Sequence, residues 1–270
     1  MAWPAPRQPE QTVDSHTRLA NKWLGLAVYI VDTTWPKTLH DLGYAIHGIE
    51  HTVRVGGRNV SPDIIMANIA AGHALVTDCK SGANVDLGQD LGHARMATVD
   101  LHRAGVPASI RSHTPIYAIN EEHVGRIRGH TRLALVVFGK RRIYGIGDLG
   151  NADLAGELRR GVPLEEGSAP DFVIYPFSIR DTPDRIDRVV ERAIASYLRA
   201  HPGMAGRSLA TRALASAILR EAHPLHAHFS GSHRQELRRA VARSIACQEG
   251  RGAWWLGAIG APAARGDIGL

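Results

Sequence analysis

The run His73-Ala74-Leu75-Val76-Thr77-Asp78-Cys79-Lys80, closed by Ser81-Gly82, decides how this chain is read. Its apolar and β-branched residues predict a strand, and Ser81-Gly82 predicts where that strand stops. Alternate residues of a strand share a face, so Asp78 and Lys80 are expected to point together while Cys79 points into packing. Just upstream, Arg58-Asn59-Val60 leading into Asp63-Ile64-Ile65-Met66 predicts another strand, which carries an acid. Antiparallel pairing of the two would set Asp63 beside Asp78, although fourteen residues separate them.

Working outward, residues 51–55 predict a further strand, joined by a turn at Gly56-Gly57 to the strand that begins at Arg58. Before it, Leu39, Leu42, Ala45, Ile46 and Ile49 recur at three- and four-residue spacing, which predicts an amphipathic helix over 38–49. After Gly82, the stripe Leu87, Leu91, Ala94, Thr98 and Leu101 predicts a helix that stops at Gly105, before Pro107. Further strands are expected at 112–119, 132–138 and 172–177, while 141–166 fits no single period. Thr182-Pro183 opens a helix with the apolar face Ile186, Val189, Val190, Ile194, Tyr197 and Leu198, ending at His201-Pro202-Gly203. Two more helices are expected at 208–221 and 232–247, the second opened by Ser232 with Gln235 three residues on. The expected organisation is a flexible tail over 1–16, an α/β domain over 17–200, and a basic helical region over 201–270 that is winged-helix-like or a plain bundle.

Composition narrows the function. With 270 residues, 44% of them apolar, the chain can bury a substantial core. Cys79 and Cys247 are its only cysteines, too few for a four-cysteine zinc site, a cysteine-ligated iron–sulfur cluster or a disulfide framework. The longest apolar stretch near the N-terminus, residues 23–31, is too short to cross a bilayer, so a cytoplasmic protein without a membrane partner is expected. The net charge of +6 resides wholly in 199–270, with 10 basic and 4 acidic residues, because 1–198 carries 22 of each. Such a surface suits a polyanion, and an arginine-rich solvated face accounts for it equally well. Arg234, Arg238, Arg239 and Arg243 cluster on the last helix and are the candidate nucleic-acid contacts.

Asp63, Asp78 and Lys80 suggest a particular chemistry. Cleaving a phosphodiester needs an activated water and stabilised charge on the phosphoryl and leaving oxygens, which one or two divalent cations can supply. Magnesium takes oxygen ligands and keeps several waters, so two carboxylates, a backbone carbonyl and the substrate phosphate suffice. A lysine ammonium alongside can hold the water. The chain has 28 arginines and only four lysines, and one of the four, Lys80, falls where this scheme requires a compact ammonium.

Ser61-Pro62-Asp63, then Asp78-Cys79-Lys80-Ser81-Gly82, then Gln89 on the next helix resembles the PD-(D/E)XK nuclease superfamily, and more closely its RecB-like branch. Members of that branch show a hairpin, an aspartate, a D-x-K strand ending in a small residue and glycine, and a helix with Gln-x-x-x-Tyr. Here Gln89-Asp90-Leu91-Gly92-His93 keeps the glutamine and offers His93 for the tyrosine. The resemblance spans residues 39–119 and implies a restriction-endonuclease-like mixed sheet flanked by helices. It also implies a Mg2+ site, with Mn2+ as a substitute, on Asp63 and Asp78. Lys80 and Gln89 would be the other catalytic residues. Members often carry an acidic or histidine residue near the metal on the helix before the hairpin, and His47 or Glu50 is expected there, with His40 and Asp41 behind. The implied partner is nucleic acid, DNA in preference, in a defence or repair setting, as a homodimer or within a larger complex.

Other readings stand beside this one: a nuclease-like module that binds nucleic acid or assembles without turnover, and a winged-helix regulator. His223, His226, His228 and His233 lie close in sequence but lack the helical H-x-x-x-H spacing of a zinc site. Trp254-Trp255 reads as an apolar anchor or as a stacking surface for a base.

Overall fold

Residues 64–68 and 73–80 do pair as antiparallel strands, and a seven-stranded mixed sheet extends to either side of them in the computed structural model of the chain. The structure describes residues 15–30, 33–165, 170, 173–179, 181–202, 211–252 and 255. They fall into two units: one holds the described residues up to Ile174 together with His228–Ser230, the other those from Tyr175 to Ala227 and from Gly231 onward.

In the first unit the elements are, in chain order, α1 (Ser15–Gly25), α2 (Thr38–Asp41), β1 (Ala45–Ile49), β2 (Val53–Val55), β3 (Arg58–Val60), β4 (Ile64–Asn68), β5 (His73–Lys80), α3 (Leu87–Arg95), α4 (Thr98–Arg103), β6 (Ser112–Asn120), α5 (Val124–Ile127), β7 (Ala134–Phe138), β8 (Arg142–Ile146), α6 (Ala152–Arg160) and β9 (Val162–Pro163). The sheet order is β1-β4-β5-β6-β7-β8-β9, and β2 and β3 form a separate ribbon. β5, β6 and β7 run parallel, and all other neighbours in the sheet are antiparallel. The parallel step from β5 to β6 requires a crossover, which α3 and α4 supply.

One face of the sheet is closed by a continuous apolar layer. Ile65 and Ala67 of β4 and Ala74 and Val76 of β5 pack against Val53, Val55 and Val60 of the ribbon and against Met96, Leu101, Val106 and Ile110. Tyr117, Ile119, Leu135 and Val137 continue it over β6 and β7. Helix α1 lies over β5 and β6, with Leu19, Trp23 and Leu24 wholly buried.

Several expectations are corrected. The helix expected over 38–49 stops at Asp41, and Ala45–Ile49 is instead edge strand β1 against β4. Gly43, at φ +83°, turns the chain there, and a β-bulge at His47 brings both Ile46 and Ile49 to buried positions, which imitates helical spacing. The helix expected from 87 to 101 is two helices, and the stripe is inverted in α3: Leu87 and Leu91 are exposed, and His93 is its buried residue. Helix α1 opens at Ser15, inside the stretch read as a tail, and residues 1–14 lie outside the described ones. No strand occurs among the described residues of 172–177, whereas 141–166 holds β8, α6 and β9.

The second unit comprises α7 (Pro183–Ala200), α8 (Thr211–Ala222) and α9 (Gly231–Gly250), each packed on the other two. Val190 and Ile194 of α7, Leu214 and Ile218 of α8, and Leu237, Val241 and Ile245 of α9 form its core. The boundary therefore falls before α7, at Ile174, and not at 200, because the apolar face of α7 is buried in this bundle. The unit's described residues form a helical bundle, and no strand occurs among them. His223 is core, its Nε2 3.0 Å from the Phe177 carbonyl oxygen and its ring against Tyr175 and Phe177. Trp255 is an anchor, fully buried, with Nε1 donating to Gln248 Oε1 at 3.0 Å. Trp254 lies outside the described residues.

Helix α3 approaches the ribbon so closely that a Cβ at Gly92 would lie 2.8 Å from Val60 Cγ2. Gly92→Ala is expected to cost about 1–3 kcal/mol. Urea melts should also show that Val60→Ala recovers part of this loss, so that the double variant is more stable than the sum of the singles implies.

Candidate functional site

Asp63 directly precedes β4, where the register pairs Ile64 with Thr77 and Ile65 with Val76. Continued by one residue, that register sets Asp63 opposite Asp78, on the same face as the apolar layer. Both are buried, at 7% and 3% exposure. Asp63 Oδ2 accepts the Cys79 backbone N–H at 2.7 Å and lies 3.1 Å from His16 Nε2. Lys80, two residues on from Asp78, puts its Nζ 2.8 Å from Asp78 Oδ2. The same ammonium donates to Gln89 Oε1 at 2.9 Å and sits 5.2 Å from the centroid of the Tyr117 ring. Tyr117 is paired with Asp78 in the β5–β6 ladder, which puts its ring on the same face.

Gln89 reaches Lys80 because α3 is precisely placed at its start: Asp86 caps it by accepting the Gly88 and Gln89 N–H groups at 2.8 and 3.0 Å. One turn after Gln89, the imidazole of His93 stands at 1% exposure with Nε2 3.6 Å from Asp78 Oδ2. That is longer than a hydrogen bond, and neither ring nitrogen has a hydrogen-bond partner among the described residues. His93 therefore lies directly behind the acid.

Not every candidate joins this group. The Glu50 backbone N–H donates to the Asp63 carbonyl at 2.9 Å, and its charge reaches the Cys79 thiol, so Glu50 borders the pair. His47 is elsewhere: its ring is 6.4 Å from that of His51, and it belongs with His51 and His228 beside β1. Upstream of the ribbon, a histidine that does reach Asp63 is His16, on α1, in a stretch whose lack of apolar periodicity gave no sign of it. Cys79 is buried and points away, its thiol pushed well up by burial and by the charges of Asp63 and Asp78. The four arginines belong to the helical unit. There Arg234 and Arg238 share one side of α9, while Arg239 and Arg243 form a separate exposed pair.

The two acids have opposite electrostatics. Burial drives the Asp63 carboxyl above the ordinary range; the His16 hydrogen bond opposes this, and the charge of Asp78 adds to it. Burial would raise Asp78 too, but His93 and the Lys80 ammonium outweigh it and hold the carboxyl down at about 2. Among the described residues, no group of three or more His, Cys, Asp or Glu side chains converges as a metal cage. What the chain offers is two carboxylates on adjacent strands with an ammonium beside them.

Residues 15–97 match the family described as the MJECL32 domain. The matched span runs from the start of α1 to just past α3 and contains His16, Asp63, Asp78, Lys80, Gln89 and His93. No curated protein matches the chain, and no solved structure does. No helix among the described residues is long and apolar enough to cross a membrane.

Opposite shifts dictate opposite responses to neutralisation. Asp63, raised above its unfolded value of 3.8, destabilises the fold increasingly as pH rises from that value through its folded pKa. Asp78, held at about 2, stabilises the fold above 3.8 and loses that contribution as pH falls toward 2. At pH 7 and without divalent cations, Asp63→Asn should therefore raise the melting temperature. Asp78→Asn should lower stability by about 2 kcal/mol; the Asp63 difference should shrink in melts run near pH 4, and the Asp78 difference only as the pH falls on toward 2.

Proposed function

We propose that the chain is a metal-dependent nuclease that hydrolyses phosphodiester bonds, of DNA in preference, at the site formed by Asp63, Asp78, Lys80 and Gln89. The observation that carries this reading is the convergence of two buried carboxylates on adjacent strands with one ammonium, held 2.8 Å from Asp78 and 2.9 Å from Gln89. Hairpin, aspartate, D-x-K strand and glutamine helix follow one another in the order of the PD-(D/E)XK resemblance. His16, on a helix before the hairpin, suits the place for which that resemblance calls for an acidic or histidine residue.

The donor set fits a small, hard divalent cation. Two carboxylates are too few for a structural zinc site, which takes four protein ligands, but they suit magnesium, which keeps waters and shares substrate phosphate oxygens. Their mutual repulsion, part of what raises Asp63, is also what a cation between them relieves. When bound, such an ion supplies an activated water and neutralises charge on the phosphoryl oxygens.

The chain's own residues do the rest. Asp63 and Asp78 would hold the ion, with Glu50 at the margin. Lys80 donates one N–H to Gln89 and forms an ion pair with Asp78 at 2.8 Å, which leaves its remaining donors to orient the attacking water or a phosphoryl oxygen. Gln89 is a positioning residue, since it touches the ammonium and fixes its direction. His93 and His16 position the two acids, and the Tyr117 ring closes the site beneath Lys80.

The inactive-module reading has one observation in its favour: each carboxylate already has a partner within the chain, His16 for one and Lys80 for the other. One assay separates the two. Supercoiled, linear and single-stranded DNA are incubated with the protein, with and without magnesium or manganese, beside Asp78→Ala and Lys80→Ala. A nuclease cuts only with the cation, and Lys80→Ala reduces the rate by about a hundredfold or more. Binding without cutting under all conditions, unchanged in both variants, would show the module instead.

A further inference from the structure

Away from the carboxylates, the helical unit forms a half-open cleft of about 320 Å3 between α8 and α9. Ser216 and Leu219 of α8, His226 of the intervening turn, and Arg234, Gln235 and Arg238 of α9 line it. Arg234 and Arg238 are one turn apart, so their guanidinium groups rise from the same side of the helix. No acid among the described residues pairs with either. Glu236, which lies between them in sequence, is 3.8 Å from His233 Nδ1, and Glu221 accepts from Ser196. Gly231, the first residue of α9, borders the same space, so the positive end of a 20-residue helix adds to the field. His226 reports that field: burial first, then the charges of Arg234 and Arg220, hold its imidazole below the ordinary value.

The lining is thus two forked cations and neutral hydrogen-bonding groups over a floor that packs into the bundle core at Leu219. Each guanidinium offers five N–H donors and accepts nothing, so the pair calls for an anion with several oxygens. Two positive charges match a phosphate monoester, which carries close to two negative charges at pH 7, better than an internal diester, which carries one. The volume lies at the small end of ligand sites, about 300–1,000 Å3, and accommodates one nucleotide but no duplex. Gln235, exposed on α9, supplies a polar edge for a sugar or base.

We propose that this cleft binds the terminal phosphate monoester of a nucleotide, either at the end of a nucleic-acid strand or as a free mononucleotide. That the phosphate belongs to a nucleotide rests on the nuclease reading; that the cleft takes a monoester rests on its own residues. The test is fluorescence anisotropy on the full chain in EDTA, with internally labelled single-stranded oligonucleotides ending in 5′-phosphate, 3′-phosphate or hydroxyl. Adenosine monophosphate, adenosine and inorganic phosphate compete in separate arms. If strand ends are the ligand, one phosphorylated end binds about tenfold or more tighter than the hydroxyl end. If free nucleotide is the ligand, calorimetry shows adenosine monophosphate binding, adenosine failing, and no preference among strands. Either preference is lost in Arg234→Ala and Arg238→Ala, whereas Arg239→Ala lowers affinity for all strands alike. Should Arg238→Ala melt abnormally by circular dichroism, Arg238→Gln takes its place. Equal binding with and without a terminal phosphate in every arm, or a preference that survives in both folded arginine variants, would overturn the proposal. Because the assay reads binding without turnover, its failure and the failure of the nuclease reading are separate results.

Discussion

Two acids withdrawn from water face each other across an antiparallel ladder, and the surrounding structure is organised by what that arrangement requires. Like charges repel strongly where solvent screens them poorly, and an uncompensated buried carboxylate is costly. Asp63 is met by the Cys79 amide and by His16 of α1, and Asp78 by Lys80 and by His93 of α3. Helices before and after the two strands are thereby drawn to one point. The compensation is unequal, and it leaves one carboxyl raised and its neighbour depressed. Environments that push paired groups apart in this way are characteristic of sites where the two members have different tasks.

How far this was legible in the sequence depends on where each signal resides. β4 and β5 were readable because their apolar density and the acids beside them lie within single segments, but β3 and β4, expected as one strand, are two, since β3 pairs with β2 and β4 with β1 and β5. The Gly56-Gly57 ribbon was readable for the same reason. β1 was not: Leu39, Leu42, Ile46 and Ile49 satisfy a helical period, and only the partner strand, twenty residues farther on, makes Ala45–Ile49 extended. His16 carried no local mark, since its role exists only once α1 lies over β5. The helical boundary misled in a similar way. Pro202-Gly203 looks like a linker, yet the face of α7 that decides its membership is buried against α8 and α9.

The arginines show the same limit on a smaller scale. Four of them within ten residues read as one basic face, but the 3.6-residue turn divides them into two pairs with different surroundings. One pair borders a half-open cleft between α8 and α9, and the other points away from it into solvent.

Helix α3 reverses the usual rule by turning Leu87 and Leu91 outward and Gln89 and His93 inward. Such a helix gains little from the hydrophobic effect, and what retains it is a cap at Asp86, the Thr131 hydroxyl donating to Asp90, and the tight approach at Gly92. Segments with few buried apolar contacts open locally at far lower cost than the domain unfolds. The hand that steadies Lys80 is thus also the part of the sheet unit with the loosest grip, and amide exchange along Leu87–Arg95 should outpace that of β5 and β6 beside it.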